Sequence, residues 1–407
     1  MKKGPTIFSI SGNPVSGKST VINKLIEILK NRGILEENLH VVSTGKIYRE
    51  HFNKIVNLIK SIDDENQLSE ISKDEDIKKL LANPEHRQKI QDTIVQFKKL
   101  GLNIDDFDIS SLNSAEELAN IRYVLDEVVD PYVADLGKKI LEENNPNDVW
   151  LFDSRLAFHN IPESFSVRLI VKDNVAAERL INDKTRGKED TGYADIGDAR
   201  KKVIERTEAE QDRYKQRYGI DLLDTDNYNL IIDTSYADAE EVADTIIKCE
   251  KCNREEKPYG KMWASPEKFL PLQGVMQTGG IGFGSGLDFN QIRDLIKING
   301  YDPSKEIEVI EVDGKFYIIE GHHRNFALAN LGKTLIPYKK CQYLTEEQAK
   351  ERAKTVKLSD LYDHEGIFNR KTQDGKRRTF YYTDVYPNIY KEIREQQEKN
   401  EHDEQDY

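Results

Sequence analysis

Short apolar runs alternate with amphipathic helical segments over residues 1–250. The apolar runs have the length of buried strands, and the segments between them repeat apolar residues at helical spacing. This alternation predicts an α/β fold in which a parallel sheet is flanked by helices. The predicted strands are 6–10, 40–42, 149–152, 167–171 and 230–232. Between the second and third strands, the charged, helix-rich stretch 50–145 is too long for a simple crossover, and we interpret it as an inserted subdomain.

The pattern changes beyond residue 250. Lys, Glu, Pro and Gly dominate 251–268, which predicts a linker. Two strand-like runs, 308–312 and 316–319, flank an Asp-Gly turn and precede a helix, which predicts a smaller α+β domain. A second Asp-Gly pair predicts a hairpin between 368–372 and 377–382. The predicted organisation is a first domain over 1–250, the linker over 251–268, a second domain over 269–345, a C-terminal extension with the hairpin over 346–390 and a charged tail over 391–407.

The composition of the chain excludes some classes of protein. A chain of 407 residues is too long for one ordinary hydrophobic core, which agrees with several domains. The net charge of −13 disfavours a broad surface that coats nucleic acid, although it is compatible with a local basic groove around phosphates. No segment resembles a signal peptide or a membrane span, and the three cysteines, Cys249, Cys252 and Cys341, cannot form a disulfide framework. We therefore expect a cytoplasmic protein without a membrane partner.

One segment has a phosphate-binding pattern. Residues 12–20, GNPVSGKST, match G-x-x-x-x-G-K-[ST] between a predicted strand and a predicted helix. In that setting the glycines let successive backbone N–H groups turn towards an anion, and the helix N-terminus adds partial positive charge. We predict ATP and Mg²⁺ as ligands, with Ser19 on the metal ion and a cradle formed by Gly12, Ser16, Gly17, Lys18, Ser19 and Thr20. The alternative, a glycine-rich turn before an ordinary helix, is disfavoured because both flanks fit the motif.

Arginines follow two of the predicted strands at the sheet edge where ligands bind in such folds. Arg49 comes soon after the second strand, and Arg155 comes just after the third. Transfer of a phosphoryl group requires cations that hold its negatively charged oxygens in a site closed to water. We therefore predict Lys18, Arg49 and Arg155 as catalytic residues. Further candidate clamps lie in a helical excursion, 176–217, namely Arg179, Arg186, Arg200, Arg206, Arg213 and Arg217.

The ordered set of motifs resembles the cytidylate kinase branch of the nucleoside-monophosphate kinases, most closely its archaeal type. The resemblance covers residues 1–250 and rests on the segments 12–20, 43–49, 153–157, 206–221 and 228–235. It implies a P-loop kinase fold and Mg²⁺-dependent transfer of the γ-phosphoryl group of ATP to a nucleotide acceptor, a (deoxy)nucleoside monophosphate. It also implies that Arg49, Arg155 and Arg213 clamp the acceptor phosphate or the lid, so that Arg213 joins the predicted catalytic residues, and that Asp221 lies near the acceptor.

Two differences from the pattern of that family leave the identity of the acceptor undetermined. The stretch 54–125 is longer and more acidic than a compact acceptor domain, and Asp153 stands where the resemblance leads us to expect a glutamate. Relatives in this P-loop group phosphorylate hydroxymethylated bases in phage DNA. A base within DNA therefore stays an alternative acceptor.

A second resemblance lies in the smaller domain. The segment 316–337 contains Gly321-His322-His323-Arg324 and resembles the ParB N-terminal and sulfiredoxin superfamily. Gly321 permits close approach of a ligand to the backbone, and Arg324 lies in the first turn of a helix whose dipole favours an anion. The resemblance implies that Gly321, His322, His323 and Arg324 bind the phosphates of a nucleotide. The alternative is a capped helix with solvent-facing histidines.

Three hypotheses remain for the role of this smaller domain. The first is that it binds a second nucleotide or phosphate, and the second is that it is a kinase for a small hydroxyl compound of the serine type. The third is that it is a nucleotide-gated module that binds DNA or protein. The hairpin favours a DNA contact because its cationic residues lie beside aromatic residues that stack on bases, although a solvated edge strand explains them equally well. These residues are Arg370, Lys371, Lys376, Arg377 and Arg378, beside Phe380, Tyr381 and Tyr382. The oligomeric state is left open.

Overall fold

The computed structural model describes residues 4–45, 47, 121–182, 193, 195–271, 289–355, 368–371 and 377–380. Internal contacts divide the chain into two compact units. The first unit comprises Lys2–Arg168 and Asp173–Asn229, and the second comprises Leu169–Lys172 and Leu230–Tyr407. Arg49, Arg186 and residues 50–120 of the predicted inserted subdomain lie outside the described residues.

The first unit is built on a sheet whose strand order is β2–β3–β1–β4. The strands are β1 (Thr6–Gly12), β2 (Leu39–Ser43), β3 (Val149–Asp153) and β4 (Phe165–Ile170), of which 165–168 belong to this unit. β1 and β2 both pair with β3 in parallel, and Ile10 and Ser43 lie opposite Asp153. All seven residues of β1 are buried, as its apolar run predicts. The predicted strands of this unit are confirmed, and the carboxyl ends of β1, β2 and β3 meet at one edge of the sheet.

Helices of the first unit arise where the sequence has helical apolar spacing. They are α1 (Lys18–Asn31), α2 (Ile121–Glu143), α3 (Ala157–Asn160), α4 (Asp173–Asn182) and α5 (Ile196–Tyr218). The buried residues of α1 recur at helical spacing and form its core face: Val21, Ile22, Leu25 and Leu29. The N-cap of α5 is Asp195, whose side chain accepts a hydrogen bond from a backbone N–H at 2.8 Å, and the helix ends at Gly219 with a φ of 68°.

The second unit has a mixed sheet with the strand order β5–β6–β10–β8–β9–β7. Its elements are β5 (Leu230–Asp233), α6 (Ala239–Arg254), β6 (Met262–Ala264), β7 (Phe269–Pro271), α7 (Phe289–Asn299), β8 (Ile307–Val312), β9 (Lys315–Glu320), α8 (His322–Asn330), β10 (Ile336–Lys340), α9 (Glu346–Thr355), and a separate hairpin of β11 (Phe368–Lys371) and β12 (Arg377–Phe380). β8 and β9, which flank the predicted Asp-Gly turn, pair in antiparallel orientation. The two strands of the predicted hairpin, β11 and β12, also pair in antiparallel orientation. Within the described residues, no helix is long and apolar enough to cross a membrane.

The predicted linker, 251–268, is folded instead of forming an open connection. α6 continues to Arg254, β6 pairs with β5 and β10, and a 3-10 turn spans Pro266–Lys268. Lys268 Nζ lies 2.7 Å from Asp233 Oδ2; Asp233 is buried, and the side chain of Lys268 is 11% exposed. The composition of this stretch is typical of a loop, but pairing with strands distant in sequence overrides that local preference. The contact division also places β5 and α6 in the second unit, whereas the sequence predicted a boundary at 250.

Candidate functional site

The turn between β1 and α1 has the conformation that a phosphate cradle requires. Gly17 is the N-cap of α1 and has a φ of 82°, which is the left-handed region where glycine is favoured over residues with a Cβ atom. The N–H of Ser16 donates to the carbonyl oxygen of Asn13 at 3.2 Å and closes the turn. The first N–H groups of a helix have no intrahelical partner, so those of α1 are available to an anion.

Two cationic side chains converge on one carbonyl group of this turn. Lys18 Nζ donates to the carbonyl oxygen of Gly12 at 3.1 Å, and a guanidinium nitrogen of Arg155 donates to the same oxygen. Burial, and next the charge of Arg155, lower the pKa of Lys18 to about 7. A negatively charged ligand would stabilise the protonated amine, because it adds the opposite charge that the protein supplies only in part.

Glu210 on α5 fixes the orientation of Arg155. Arg155 Nε donates to one carboxylate oxygen of Glu210 at 2.9 Å, and Nη2 donates to the other at 3.3 Å. This two-point geometry sets the plane of the guanidinium group. Arg206 Nε also lies 3.6 Å from Glu210. Burial alone would raise the pKa of Glu210, but the charge and hydrogen bonds of Arg155 hold that pKa below its usual value.

Arg168 lies beside the same turn and is 7% exposed. Its Nη2 donates to Asn13 Oδ1 at 3.1 Å, and its Nη1 donates to Tyr228 OH at 3.0 Å and to the carbonyl oxygen of Leu222. These hydrogen-bond acceptors are all neutral. Burial lowers the pKa of Arg168, and the negative charge of Asp221 opposes part of that effect. Arg168, Asn13 and Tyr228 line a cleft together with Gly12, Arg155 and Glu210. The cleft therefore has two arginines and one carboxylate around the phosphate-binding turn.

Oxygen ligands that suit Mg²⁺ lie next to this turn. Asp153 ends β3 directly beside β1, and its Oδ2 accepts a hydrogen bond from Ser43 Oγ at 3.1 Å. Its negative charge is close enough to Lys18 to raise the pKa of that amine against the effect of burial. Ser19 is exposed in the first turn of α1. A hydroxyl from the P-loop and a carboxylate from a neighbouring strand are the protein ligands that hold Mg²⁺ in P-loop enzymes, so these residues fit the ion.

The far end of α5 carries Arg213, one helical turn beyond Glu210. Its Nη2 donates to Tyr214 OH at 3.1 Å, and its guanidinium carbon lies 4.8 Å from the centre of the Tyr214 ring. Five residues further along the helix, Tyr218 OH donates to Asp130 Oδ2 at 2.5 Å. Burial raises the pKa of Asp130. One helix thus presents Glu210, Arg213 and Tyr218 at spacings of three and five residues.

The glycine turn of the second unit is also formed. Gly321 is the N-cap of α8 with a φ of 99°, and a Cβ atom there would lie 2.5 Å from Ile307 Cγ2, so only glycine fits. Arg324 forms an ion pair with Glu320. His322 is 8% exposed, and burial lowers its pKa to about 4. The alternative of two solvent-facing histidines is therefore wrong for His322.

The structure brings together part of the predicted site. Gly12, Lys18 and Arg155 meet at the P-loop, whereas Arg49 lies outside the described residues. Sequence reasoning missed Glu210 and Arg168. For Glu210 a signal existed, because it lies four residues after Arg206 and three before Arg213 on one helix face. Arg168 lies within an apolar strand, and its spacing gave no signal.

Comparisons with known proteins identify a family for the first part of the chain. A family model described as the cytidylate kinase-like family matches residues 10–236. An S-adenosylmethionine-dependent nucleotide dehydratase of Lacinutrix mariniflava is 32% identical over 151 residues, which are 37% of this chain and 27% of that protein. A cytidylate kinase of Methanosphaera stadtmanae is 28% identical over 28% of this chain and 61% of its own length. A cytidylate kinase of Sulfolobus acidocaldarius is 29% identical over 35% of this chain and 69% of its own length.

The chain therefore matches less than two thirds of the length of the first two of these relatives. Among solved structures, an uncharacterized protein from Eubacterium ventriosum aligns with a TM-score of 0.32 at 13% identity, over 60% of this chain and 98% of that chain. The family model spans more than half of the residues, and the P-loop, Arg155 and α5 all lie within it. The chain belongs to the cytidylate kinase-like family.

Proposed function

We propose that the chain is a Mg²⁺-dependent kinase that transfers the γ-phosphoryl group of ATP to a (deoxy)nucleoside monophosphate. The observation that carries the proposal is the convergence of Lys18 and Arg155 on the carbonyl oxygen of Gly12, with Arg155 held at two points by Glu210. Phosphoryl transfer needs little covalent chemistry from the protein. It depends on positioning and on fixed positive charge around the transferring group.

Each residue has a distinct role in this proposal. The backbone N–H groups of the Gly17 turn bind the donor phosphates, and Lys18 contacts the β- and γ-phosphate oxygens. Arg155 contacts the phosphate of the acceptor or the transferring group, with Glu210 as its positioning residue. Ser19 and Asp153 would hold Mg²⁺, which when bound neutralises charge on the phosphate oxygens.

Support for a nucleotide acceptor comes from the family and from the relatives. Two relatives are cytidylate kinases, and the third is by its name a nucleotide dehydratase. The match to the dehydratase spans 27% of that protein, so dehydration is not carried over. A hydroxymethylated base in DNA is the competing acceptor. A screen of both kinds of acceptor with the same protein distinguishes it from a free nucleotide.

The test is an acceptor screen on the full chain with ATP and Mg²⁺. It compares CMP, dCMP, UMP, dTMP, AMP and GMP with single-stranded and duplex DNA that contains hydroxymethylated bases. Lys18→Met should lower turnover by about 10²–10³, the usual effect of removing one positioned charge from a transition state. Lys30→Met is the matched control, because Lys30 is exposed in the last turn of α1 and pairs with Glu36. No phosphate transfer to any acceptor by folded protein, or equal turnover in both variants, would contradict the proposal.

We also propose that the Gly321 turn is a second phosphate-binding site. Its support is that only glycine fits at the N-cap of α8, with Arg324 in the first turn. Arg324→Gln in the full chain should weaken binding of ADP at this turn, while Lys18→Met should leave it unchanged. A second, Lys18-independent nucleotide per chain in equilibrium dialysis supports the site, and a single nucleotide that only Lys18→Met weakens contradicts it. Adding serine and related hydroxyl compounds to the same protein tests whether this turn is itself a kinase site.

A further inference from the structure

Tyr228 and Leu222 fix the guanidinium group of Arg168 beside the P-loop. Arg168 Nη1 donates to Tyr228 OH at 3.0 Å and to the carbonyl oxygen of Leu222. Tyr228 OH in turn donates to the same carbonyl oxygen at 3.0 Å, and the centre of its ring lies 5.4 Å from the guanidinium carbon. Arg168 therefore meets the P-loop with a guanidinium group whose position is already set by other contacts.

The contact with Arg168 decides how the side-chain amide of Asn13 is oriented. Arg168 Nη2 donates to Asn13 Oδ1 at 3.1 Å. A guanidinium group has only hydrogen-bond donors, whereas an amide has an acceptor oxygen on one side and a donor NH₂ group on the other. The reversed amide would place donors against donors. The oxygen of Asn13 is therefore committed to Arg168, and the Nδ2 group is turned away from it.

The Nδ2 group of Asn13 is left as a donor for a ligand. Among the described residues, the Asn13 side chain takes part in no hydrogen bond other than the one with Arg168. Asn13 is half-buried and lines the cleft together with Gly12, Pro14 and Arg155. A donor that is partly removed from water gains from a hydrogen-bond acceptor that a ligand brings to it.

The surroundings favour a phosphate oxygen as that hydrogen-bond acceptor. Two arginines and one carboxylate line the cleft, namely Arg155, Arg168 and Glu210. A charged oxygen also accepts a stronger hydrogen bond than a neutral one. The cleft reaches the first half of the P-loop, residues 12–14, whereas the cradle for the donor phosphates lies in the second half, around Gly17. This separation favours the acceptor nucleotide over ATP as the molecule that brings the oxygen.

We propose that Asn13 Nδ2 donates a hydrogen bond to a phosphate oxygen of the acceptor nucleotide, and that Arg168 is the positioning residue that orients the amide. This inference rests on the proposed kinase function, and it adds a neutral donor to the charged contact of Arg155. The hydrogen bond forms when the nucleotide binds and persists during transfer. Its loss should therefore raise the KM for the acceptor nucleotide more than it lowers kcat.

Two substitutions of Asn13 separate this role from a structural one. Asn13→Asp keeps an oxygen for Arg168 but removes the donor, so binding of CMP should weaken at least about tenfold while the midpoint of urea unfolding does not fall. Asn13→Leu removes the donor without adding a charge, and it should also weaken binding of CMP at least about tenfold. Titration calorimetry on the full chain measures the dissociation constant. Cytidine, which lacks the phosphate, should show no difference between these variants and the wild type.

Asn147→Asp is the matched control for the added charge. Asn147 is exposed just before the amino end of β3, whereas Asn13 follows the carboxyl end of the parallel strand β1, so the control charge lies at the opposite edge of the sheet. It should leave binding of CMP unchanged. Arg168→Lys should retain the CMP affinity better than Arg168→Met, because an ammonium group also has only donors. If Arg168→Met is misfolded by circular dichroism, the two Asn13 variants decide.

The outcomes distinguish this inference from the kinase proposal. Unchanged binding of CMP in both Asn13 variants would overturn the inference and leave the kinase proposal intact. A loss that cytidine shares equally, or that Asn147→Asp reproduces, would overturn it as well. Binding of CMP without phosphate transfer by the wild type would contradict the kinase proposal alone, because the contact is measured without turnover. If the wild type does not bind CMP, the other monophosphates of the acceptor screen replace it, and binding of none of them overturns both.

Discussion

Binding of a nucleotide to the P-loop should be coupled to proton uptake by Lys18. Burial and the neighbouring Arg155 lower the pKa of Lys18 to about 7, so a large fraction of the free protein carries a neutral amine near neutral pH. A triphosphate beside the amine adds negative charge and favours the ammonium form. The proton that completes the ammonium group comes from the solvent.

The size of the effect follows from the pKa of about 7. The neutral fraction of Lys18 in the free protein is about 0.1 at about pH 6, about 0.5 at about pH 7 and about 0.9 at about pH 8. If the bound triphosphate returns the pKa to above about 9, proton uptake per nucleotide follows the same course. Uptake therefore increases with pH over this range.

Titration calorimetry in two buffers with different ionisation enthalpies measures this uptake at each pH. The nucleotide phosphates titrate near neutrality themselves, with a second pKa of about 6, and Lys18→Met isolates their contribution because it removes the amine alone. Lys30→Met should behave as the wild type. Wild-type uptake that stays below about 0.1 at about pH 8, or Lys18→Met protein that takes up as many protons as the wild type, would refute the reasoning.

Three further predictions concern the residues that support this site and the fold. Glu210→Gln should lower turnover and move the midpoint of the proton-uptake profile to lower pH, because the charge of Glu210 raises the pKa of Lys18; an unchanged midpoint would contradict the proximity of the two groups. Gly17→Ala and Gly33→Ala should each lower the free energy of unfolding by about 1 kcal/mol, because both glycines have positive φ, but only Gly17→Ala should weaken nucleotide binding in the same titrations. Lys268→Met should lower the free energy of unfolding in urea by about 3 kcal/mol, because it leaves a buried carboxylate on β5 without its partner, and a loss below about 1 kcal/mol would show that this pair is solvated.

The sequence by itself determined the phosphate-binding turn and the strands that frame it. The motif is contiguous, and its glycine, lysine and flanking apolar runs act through local backbone geometry, so spacing along the chain was sufficient. The turn at Gly321 was predictable for the same reason, because a strand, a glycine with positive φ and a helix follow one another directly.

Only the tertiary structure decided which charged groups meet. Arg155 pairs with Glu210, which lies 55 residues away in the sequence. Arg168 contacts Asn13 across 155 residues. No spacing along the chain distinguished Glu210 from the other charged residues of 176–217 as the partner of Arg155. The linker composition of 251–268 likewise gave no sign that β6 pairs with β5 and β10. Such choices depend on how helices rotate and strands pair when the core is buried, and the energy of a charge depends on that burial, which no local pattern encodes.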